Sequence, residues 1–397
     1  MHALFLAVSW TWCIGMFLPV LLVRDFGLWG FVAFAVPNVV GAASVGFLLR
    51  SRDAADRFAA EHHLALHVFS LVTIAFHAWF LGAMALRFGI LRTLFGPDGP
   101  AETTASALGA AGLLLAAWAA ARRASFRSLL LLAPAVLALS IAAAALAQLT
   151  TGGRSLGAPP LSGDDPFPAV LLAAPALALG FLTCPYLDAT LLRVRRELDD
   201  RAARRSFAIG FAGPFLLMVL LTLLYAHGFN VSGVVSWYIL LHFSAQAMFT
   251  AAAHTRELWA TADEHARRTA RPTPPWRRWI APALIALFAA LGAAGPRLGL
   301  PFEVGYQSFL FWYAVVFPAY LLATVATRRR PGSWKPRLAA AAAATLLAGP
   351  VFAFGYLTGR WPLVCAGAAG VAAIASGAAA ALARAERSAP HDRRPAP

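Results

Sequence analysis

Two stretches of the chain carry histidines, hydroxyls and an amide at helical spacing, the kind of set that can move protons. The first series consists of His63, His67, Ser70, Thr73 and His77. The second is a strict i, i+4 series of His242, Gln246, Thr250 and His254. Residues so spaced share one face of a helix. Because histidine changes charge near neutral pH, His67, His77 and His242 are candidates for proton coupling. Alternatively, such groups only hold helices together. His63 and His254 are expected at the cytoplasmic interface.

The same histidines also allow haem or metal ligation. His67 and His77 lie about 15 Å apart along a helix axis, so a single site cannot use both. No phosphate-binding loop, Ser–His–Asp spacing or cysteine metal cluster occurs in the sequence. We therefore expect neither an enzyme nor a resident cofactor. A sensor or redox protein with intramembrane histidines stays open as an alternative.

The composition requires a membrane around these residues. Of the 397 residues, 60% are hydrophobic and only 13% are charged, with a mean hydropathy of +0.67. Apolar runs of about 18 or more residues recur and predict membrane-spanning helices. The fold class is therefore an all-α polytopic membrane protein, and the lipid bilayer is its first partner. The net charge of +15 comes from arginines between the apolar runs, which argues against nucleic acid as a partner.

We predict twelve helices. Their approximate ranges are 2–23, 27–49, 62–86, 104–121, 128–148, 167–190, 206–226, 233–254, 279–295, 305–326, 337–357 and 362–383. With the N-terminus inside, 27 of the 33 Lys and Arg residues lie on the inner side and 6 on the outer side. This asymmetry follows the positive-inside rule and predicts cytoplasmic termini in the inner (plasma) membrane. The tail 385–397 is expected to be disordered.

Two predicted helices carry helix breakers near their middle. The first has Gly15 and Pro19, and the sixth has Gly180 and Pro185. The helix after each carries a similar segment, FAVP at 34–37 and FAGP at 211–214. An offset of five helices implies two copies of opposite orientation, as in inverted-repeat transporters. Alternatively, the breakers are ordinary membrane prolines and glycines, and the short match is chance.

A broken membrane helix has a physical use. Its unwound turn exposes N–H and C=O groups that lipid cannot satisfy. They are tolerated where they face protein or a cavity that holds an ion or a polar ligand.

Three stretches carry a resemblance: WTWCIGMFLP, GLWGFVAFAVPNVVGAASVGFLL and LGFLTCPYLDATLLRVRREL. With them the chain resembles the leucine-transporter-fold (amino acid–polyamine–organocation) superfamily, closest in style to the sodium:solute symporter family. The resemblance implies a five-plus-five core, with repeats at 1–148 and 167–326 and two peripheral helices at 337–383.

The resemblance also implies a site at the two breaks. Its substrate-binding residues would be Trp12, Cys13, Gly15, Thr183, Cys184 and Tyr186, with Ile14 and Pro185 alongside. His67 and Gln246 lie on helices that the family places beside the substrate. The family's sodium site uses carbonyls at the first break, here that of Ile14, and hydroxyls on the eighth helix. That helix offers Ser244 and Thr250 but no adjacent hydroxyl pair, a departure that leaves both Na⁺ and H⁺ open as the coupling ion.

Asp188 is the most informative acid, because a carboxylate within the bilayer is costly. It is expected either to pair with Arg193, Arg195 or Arg196, or to be a coupling carboxylate. Asp25 is expected to form a solvated pair with its neighbour Arg24.

Two further segments complete the sequence predictions. In the tenth helix, Tyr306, Gln307 and Tyr313 are expected in an outer gate or in core packing. The segment 256–279 is expected to be an amphipathic cytoplasmic stretch followed by a Pro-rich linker. Taken together, the sequence predicts a cation-coupled, symporter-like transporter of a small polar organic solute, of unassigned oligomeric state.

Overall fold

The computed structural model describes residues 1–88, 99–269, 277–327 and 334–388, and this part of the chain is helical without strands. The α-helices are α1 His2–Trp10, α2 Cys13–Leu48, α3 Arg52–Glu61, α4 His63–Arg87, α5 Pro100–Ala121, α6 Phe126–Thr150, α7 Phe167–Thr183, α8 Ala189–Glu197, α9 Asp200–Gly210, α10 Leu216–His227, α11 Trp237–Thr269, α12 Arg277–Ala294, α13 Phe302–Phe311, α14 Phe317–Ala326, α15 Trp334–Leu347, α16 Gly349–Leu357 and α17 Trp361–Ser388.

Ten helical segments in the described residues are long and apolar enough to cross a membrane. They are Cys13–Leu48, His63–Arg87, Pro100–Ala121, Phe126–Thr150, Phe167–Leu187, Asp200–Ser232, Trp279–Leu298, Phe302–Ala326, Lys335–Leu357 and Trp361–Leu382. The predicted class, a polytopic helical membrane protein, is therefore confirmed. The count of twelve and the inverted repeat stay predictions.

The break in the first predicted helix lies earlier than we expected. The prediction of a break at Gly15 and Pro19 is wrong, because both residues lie inside α2. The helical path is interrupted at Thr11 and Trp12, between α1 and α2, where Trp12 is extended (φ −84°, ψ 177°). In the sixth predicted helix the break does fall at Pro185. There α7 ends at Thr183, a 3₁₀ turn covers Cys184–Leu187, and Asp188 precedes α8.

Side chains from other helices explain why α2 tolerates Pro19. Proline has no N–H, so the Gly15 carbonyl loses its ordinary donor four residues later. The Thr222 hydroxyl replaces it, donating to the Gly15 oxygen at 2.9 Å. The Tyr225 hydroxyl donates to the Met16 carbonyl, and Asn230 Nδ2 donates to the Val20 carbonyl at 2.6 Å. The helix continues through Pro19 because its orphaned carbonyl is paired from outside.

A sharp kink at Gly27 separates the two halves of α2. Gly27 has φ +62° and ψ −150°, and an added Cβ would lie 2.5 Å from the Leu161 carbonyl oxygen, so only glycine fits. The 160–165 segment pairs the backbone groups freed by the kink. The Leu28 N–H donates to the Pro160 carbonyl at 2.9 Å, and the Asp164 N–H donates to the Arg24 carbonyl at 2.9 Å.

The two FAxP segments differ in structure. The segment 34–37 lies within α2, whereas Phe211–Phe215 forms a π-helical turn between α9 and α10. A π turn inserts one residue into the helical ladder. The two segments are therefore alike in sequence and position but not in local conformation.

The described chain divides into two compact units. The first comprises Met1–Val170 and Pro185–Phe309, and it contains the Thr11–Trp12 break and the two polar series. In it, α4 and α12 cross closely at Gly82 and Gly292, where a Cβ would overlap the backbone of the other helix. The second comprises Leu171–Cys184 and the described part of Leu310–Pro397, with a small alanine core at Ala323, Ala340 and Ala379.

Three predictions fall partly on residues outside the described ranges. Of the expected disordered tail, 385–388 is helical as the end of α17, and 389–397 lies outside the described residues. The amphipathic stretch after residue 256 continues α11 to Thr269. The Pro-rich linker at 270–276 lies outside the described residues.

The pairing of the Gly15 carbonyl predicts a specific non-additivity. Thr222→Val should lower the free energy of unfolding in detergent by about 1–3 kcal/mol, because it leaves a buried carbonyl without a donor. In a Pro19→Ala background the same change should cost about 1 kcal/mol less, since residue 19 then supplies the missing N–H.

The matched control is Thr324→Val. The Thr324 hydroxyl donates to the Tyr320 carbonyl of its own helix at 2.9 Å, a carbonyl that the helical ladder also serves. Thr324→Val should therefore lower the free energy of unfolding only slightly. Equal costs of Thr222→Val with and without Pro19 would contradict this account of the helix.

Candidate functional site

The first-helix break is held by a histidine from α4. The Cys13 N–H, at the start of α2, donates to His77 Nε2 at 3.3 Å. The other ring nitrogen, Nδ1, donates to the Thr73 carbonyl at 2.7 Å. This pair of contacts requires the neutral ring with its proton on Nδ1. His77 therefore supplies the acceptor that a helix N-terminus needs, and a proton on Nε2 would remove it.

Aromatic side chains fill the space around the break. Trp12 Nε1 donates to the Ser9 carbonyl at 2.7 Å, and Trp10 Nε1 donates to Asn38 Oδ1 at 2.7 Å. The Trp12 ring lies 5.2 Å from the Phe69 ring and 5.7 Å from the His254 ring, centroid to centroid. The interrupted turn is thus enclosed by protein, with its polar atoms paired to α1, α2 and α4.

Tyr306, expected in an outer gate or in core packing, is buried beside the break. Its hydroxyl donates to the Cys13 carbonyl at 3.0 Å, and its ring stacks on Phe302. Tyr306 therefore packs in the core and pairs a carbonyl of α2. Tyr313, its counterpart in the prediction, belongs to the second unit.

Asp188 caps α8 and faces a histidine, so the predicted pairing with an arginine is wrong. Its Oδ1 accepts the N–H groups of Thr190 at 2.6 Å and Leu191 at 3.3 Å. Its Oδ2 lies 3.8 Å from His254 Nε2, and both side chains are fully buried. The three arginines bind other acids: Arg193 pairs with Glu197, Arg195 with Asp200 and Arg196 with Asp56.

His254, expected at the cytoplasmic interface, has a side chain with no exposed surface. Its Nδ1 lies 3.0 Å from the Ser70 hydroxyl of α4. Within the described part of the chain, His254 Nε2 and Asp188 Oδ2 have no hydrogen-bond partner. The two atoms face each other at a distance that one shared proton could shorten into a charge-assisted hydrogen bond.

The remaining members of the α11 series are also buried. His242, Gln246 and Thr250 are at most 2% exposed. Gln246 Nε2 donates to the Ser140 hydroxyl of α6 at 3.0 Å. Neither ring nitrogen of His242, nor the Thr250 hydroxyl, nor Gln246 Oε1 has a hydrogen-bond partner in the described residues. Ser244 lies off this face and is half-buried.

The residues implied by the resemblance divide between the two units. Trp12, Cys13, Ile14 and Gly15 lie at the break in the first unit, together with His77 and Asp188. Tyr186 is also in the first unit, with its hydroxyl 2.7 Å from Ser44 Oγ.

The second unit holds Thr183, the last residue of α7, and Cys184, the first residue of the 3₁₀ turn. Thr183 donates to the Leu179 carbonyl, and Cys184 Sγ lies 3.3 Å from the Tyr313 carbonyl. On α4, His67 is half-buried and His63 is exposed.

Ionic clusters mark two ends of the first unit. At the end predicted to be outside, Arg24 contacts both Asp25 and Glu303, so the expected Arg24–Asp25 pair has a third member on α13. At the end predicted to be cytoplasmic, the buried Arg195 donates to the Leu49 carbonyl at 2.6 Å, and Arg52 donates to the Glu197 carbonyl at 3.1 Å.

Sequence reasoning missed several partners of the break. Asn38, Thr222 and Tyr225 pair polar atoms of residues 10–16 from other positions along the chain, and Ser70 pairs with His254, contacts that no local pattern reports. One signal was available. His254 continues the same i, i+4 series as His242, Gln246 and Thr250, a pattern that places all four on one face.

Comparisons with known proteins leave the family open, since no protein-family model matches the chain and no curated protein matches it. In the described residues, no group of three or more His, Cys, Asp or Glu side chains is placed to hold a metal ion. The geometry of the site is therefore the basis of the functional argument.

The two roles of Asp188 can be separated by substitution. Asp188→Ala should lower the free energy of unfolding by about 0.5–2 kcal/mol, because it removes the cap of α8. Asp188→Asn keeps an acceptor oxygen and should stay within about 0.5 kcal/mol of wild type. The measurement is chemical unfolding in detergent.

Asp199 is the matched control, because its Oδ1 caps α9 in the same way, through the Arg201 and Ala202 N–H groups. Asp199→Ala should likewise lower the free energy of unfolding more than Asp199→Asn does. Equal losses for both Asp188 variants would show that the charge, rather than the cap, holds this segment in place.

Proposed function

We propose that the protein is a secondary-active transporter that moves a small polar organic solute across the inner (plasma) membrane by alternating access. Both termini are cytoplasmic in this proposal, and the protein has twelve membrane helices in a five-plus-five arrangement. The observation that carries the proposal is the buried Asp188–His254 pair, packed against Trp12 at the first-helix break. Ionisable groups enclosed among membrane helices are costly and mark proton or substrate pathways.

The coupling ion that the geometry favours is the proton. One proton shared between Asp188 Oδ2 and His254 Nε2 would pair both atoms, which otherwise lack partners in the described residues. Three first-helix carbonyls next to Ile14, those of Cys13, Gly15 and Met16, already accept from Tyr306, Thr222 and Tyr225, and Ile14 itself lies inside α2. On α11, Ser244 lies off the face that carries Thr250.

A methyl group could be added at Gly15 without overlap. This residue is buried, yet the nearest side-chain contact of an added Cβ is Thr11 Cγ2 at 4.0 Å. Elsewhere in the first unit, buried glycines such as Gly46 and Gly82 would overlap a neighbouring helix. This position lies in the first turn of α2, and the half-helix N-terminus at Cys13 favours an anionic group of a small polar ligand, such as a carboxylate.

The ionic clusters at the two ends support alternating access. Arg24 is 35% exposed and Glu303 is 44% exposed. Ion pairs at such exposure contribute only about 0–1 kcal/mol each. The outer cluster can therefore open at a small cost in free energy while the inner cluster stays closed. Opening at the inner end requires Arg52 and Arg196 to release their partners on other helices.

The five-plus-five arrangement has support in the spacing of the breaks. Thr11 precedes Phe34 by the same number of residues as Asp188 precedes Phe211. Each interval runs from an interrupted helix to a FAxP segment on the next helix. Five predicted helices separate the two copies, which would place them in opposite orientation in the membrane.

Uptake by protein reconstituted in liposomes tests this function. Small amino acids and other polar solutes are offered under an inward pH gradient, or under an inward Na⁺ gradient without a pH gradient. A one-unit pH gradient should support about tenfold accumulation per coupled proton, since one unit is worth about 1.4 kcal/mol. Asp188→Asn should abolish accumulation yet still exchange labelled for unlabelled solute, and Asp199→Asn should behave as wild type.

The site at the break is tested by ligand-induced thermal stabilisation. A transported solute should raise the melting temperature of wild type and of Gly15→Ala, but not of Gly15→Leu, which adds a larger side chain at this position. If wild type accumulates no solute under either gradient and none stabilises it, the transport proposal is wrong. A non-transporting sensor or redox protein would then be the better description.

A further inference from the structure

One face of α11 carries a row of buried polar atoms that lack partners in the described residues. They are Nδ1 and Nε2 of His242, Oε1 of Gln246, Oγ1 of Thr250 and Nε2 of His254. The four side chains are at most 2% exposed and follow at every fourth residue. Beyond His254, the unpartnered Oδ2 of Asp188 extends the row.

Burying this row of polar atoms without water would destabilise the protein too much. A buried polar group without a partner destabilises the folded state, and six together would offset most of the stability of a typical protein. Internal water is the ordinary solution where several polar groups surround one space, and each such water binds 2–4 of them. The rings of Phe243 and Tyr225 pack against His242 and give its nitrogens no partner, since the Tyr225 hydroxyl donates to the Met16 carbonyl.

The spacing also fits water. Four residues of helix advance about 6 Å along the axis. Two hydrogen bonds in series through one water oxygen span about 5.5–6 Å. One or two waters between successive members would therefore join them into a continuous hydrogen-bonded chain.

We propose that this face of α11 holds a chain of internal waters that carries protons between His242 and the Asp188–His254 pair. The proposal deepens the proposed function, because it supplies the route by which a coupling proton reaches the first-helix break. His242 lies about 18 Å from His254 along the helix, toward the side predicted to be outside.

The transfer conserves protons and changes only O–H and N–H bonds. A proton from outside water binds one ring nitrogen of His242, and the other nitrogen releases its own proton to the next water. Waters and the Thr250 hydroxyl each accept one proton and pass on another. Gln246 Oε1 accepts a hydrogen bond and orients the chain. At the end one proton joins His254 Nε2 or Asp188 Oδ2, and it leaves from there to the inner side.

Other ionisable groups surround the two ends of this chain. His77 of α4 and Glu257 of α11 lie near the Asp188–His254 pair; His77 is neutral while it accepts the Cys13 N–H, and Glu257 pairs with Arg256. Tyr225 of α10 packs against His242, with ring centroids 5.9 Å apart. Protonation of the pair is therefore expected to respond to substitutions of His77 and Glu257 as well.

The water chain is tested by NMR of protein labelled with ¹⁵N-histidine in lipid bilayers. Transfer of magnetisation from water protons reports which imidazoles touch water, and each signal is identified by its loss in the corresponding His→Phe variant. His63, which is exposed, is the wet reference. His77, whose two nitrogens both bind protein atoms, is the dry reference. His242 should resemble His63. A His242 as dry as His77 would overturn the proposal.

Proton delivery is tested by Thr250→Val, which removes one hydroxyl at nearly constant volume. Solute-coupled proton uptake, read with a pH-sensitive dye inside liposomes, should fall by about tenfold or more because a link of the chain is lost. Stabilisation by solute should be unchanged, and Ser244→Ala, off this face, should behave as wild type. Wild-type proton uptake in Thr250→Val would contradict the relay. If no solute is transported at all, the NMR result still decides whether the water chain exists.

Discussion

Every backbone polar group of a membrane helix must find its partner inside the protein, because lipid offers none. That constraint governs the interrupted helix at Thr11–Trp12. The helix can stop there only because side chains pair its freed groups: His77 accepts the Cys13 N–H, and Trp12 Nε1 donates to the Ser9 carbonyl at the end of α1. Side chains from α4 and from the break itself thus stand where a continuous helix would supply its own partners.

This dependence gives a route from protonation to movement. The partner of the Cys13 N–H is a titratable ring, and the next buried group against Trp12 is His254, which faces Asp188. Asp188 in turn caps α8, the segment that follows the second break. In the proposed mechanism, one proton gained or lost at this pair would act on the Trp12 break and on the start of α8 together. Two elements that respond to one charge would fit the proposed alternating access coupled to protons.

The sequence allowed some of this to be predicted. Apolar runs predicted a polytopic helical membrane protein, and Pro185 correctly predicted an interruption of the sixth helix. The i, i+4 series on α11 also marked residues that share a buried face. These successes have local causes: hydrophobic length, a missing N–H and helical periodicity are all written within a few turns of the chain.

The failures have distant causes. Gly15 and Pro19 carry the usual signs of a break, but Thr222, more than two hundred residues away, pairs the freed carbonyl and the helix continues. The real break, at Thr11 and Trp12, contains neither glycine nor proline and depends on His77. Of the two roles expected for Asp188, an arginine pair or a coupling carboxylate, the first is wrong, because each of the three nearby arginines has a different acidic partner in the fold. Its position just before Ala189, the first residue of α8, was the local sign of a helix cap.

The most direct test of the central claim is hydrogen–deuterium exchange of the two interrupted segments, 11–20 and 184–191, with Asp188→Asn as a mimic of the protonated pair. Wild type, Asp188→Asn and Asp199→Asn are compared at one pH in the same lipid. We predict that both segments change their exchange rate together in Asp188→Asn, by about fivefold or more, with the wild-type rate kept in Asp199→Asn. Unchanged rates in both segments, or a change in 184–191 alone, would contradict control of the first-helix break by the Asp188–His254 pair.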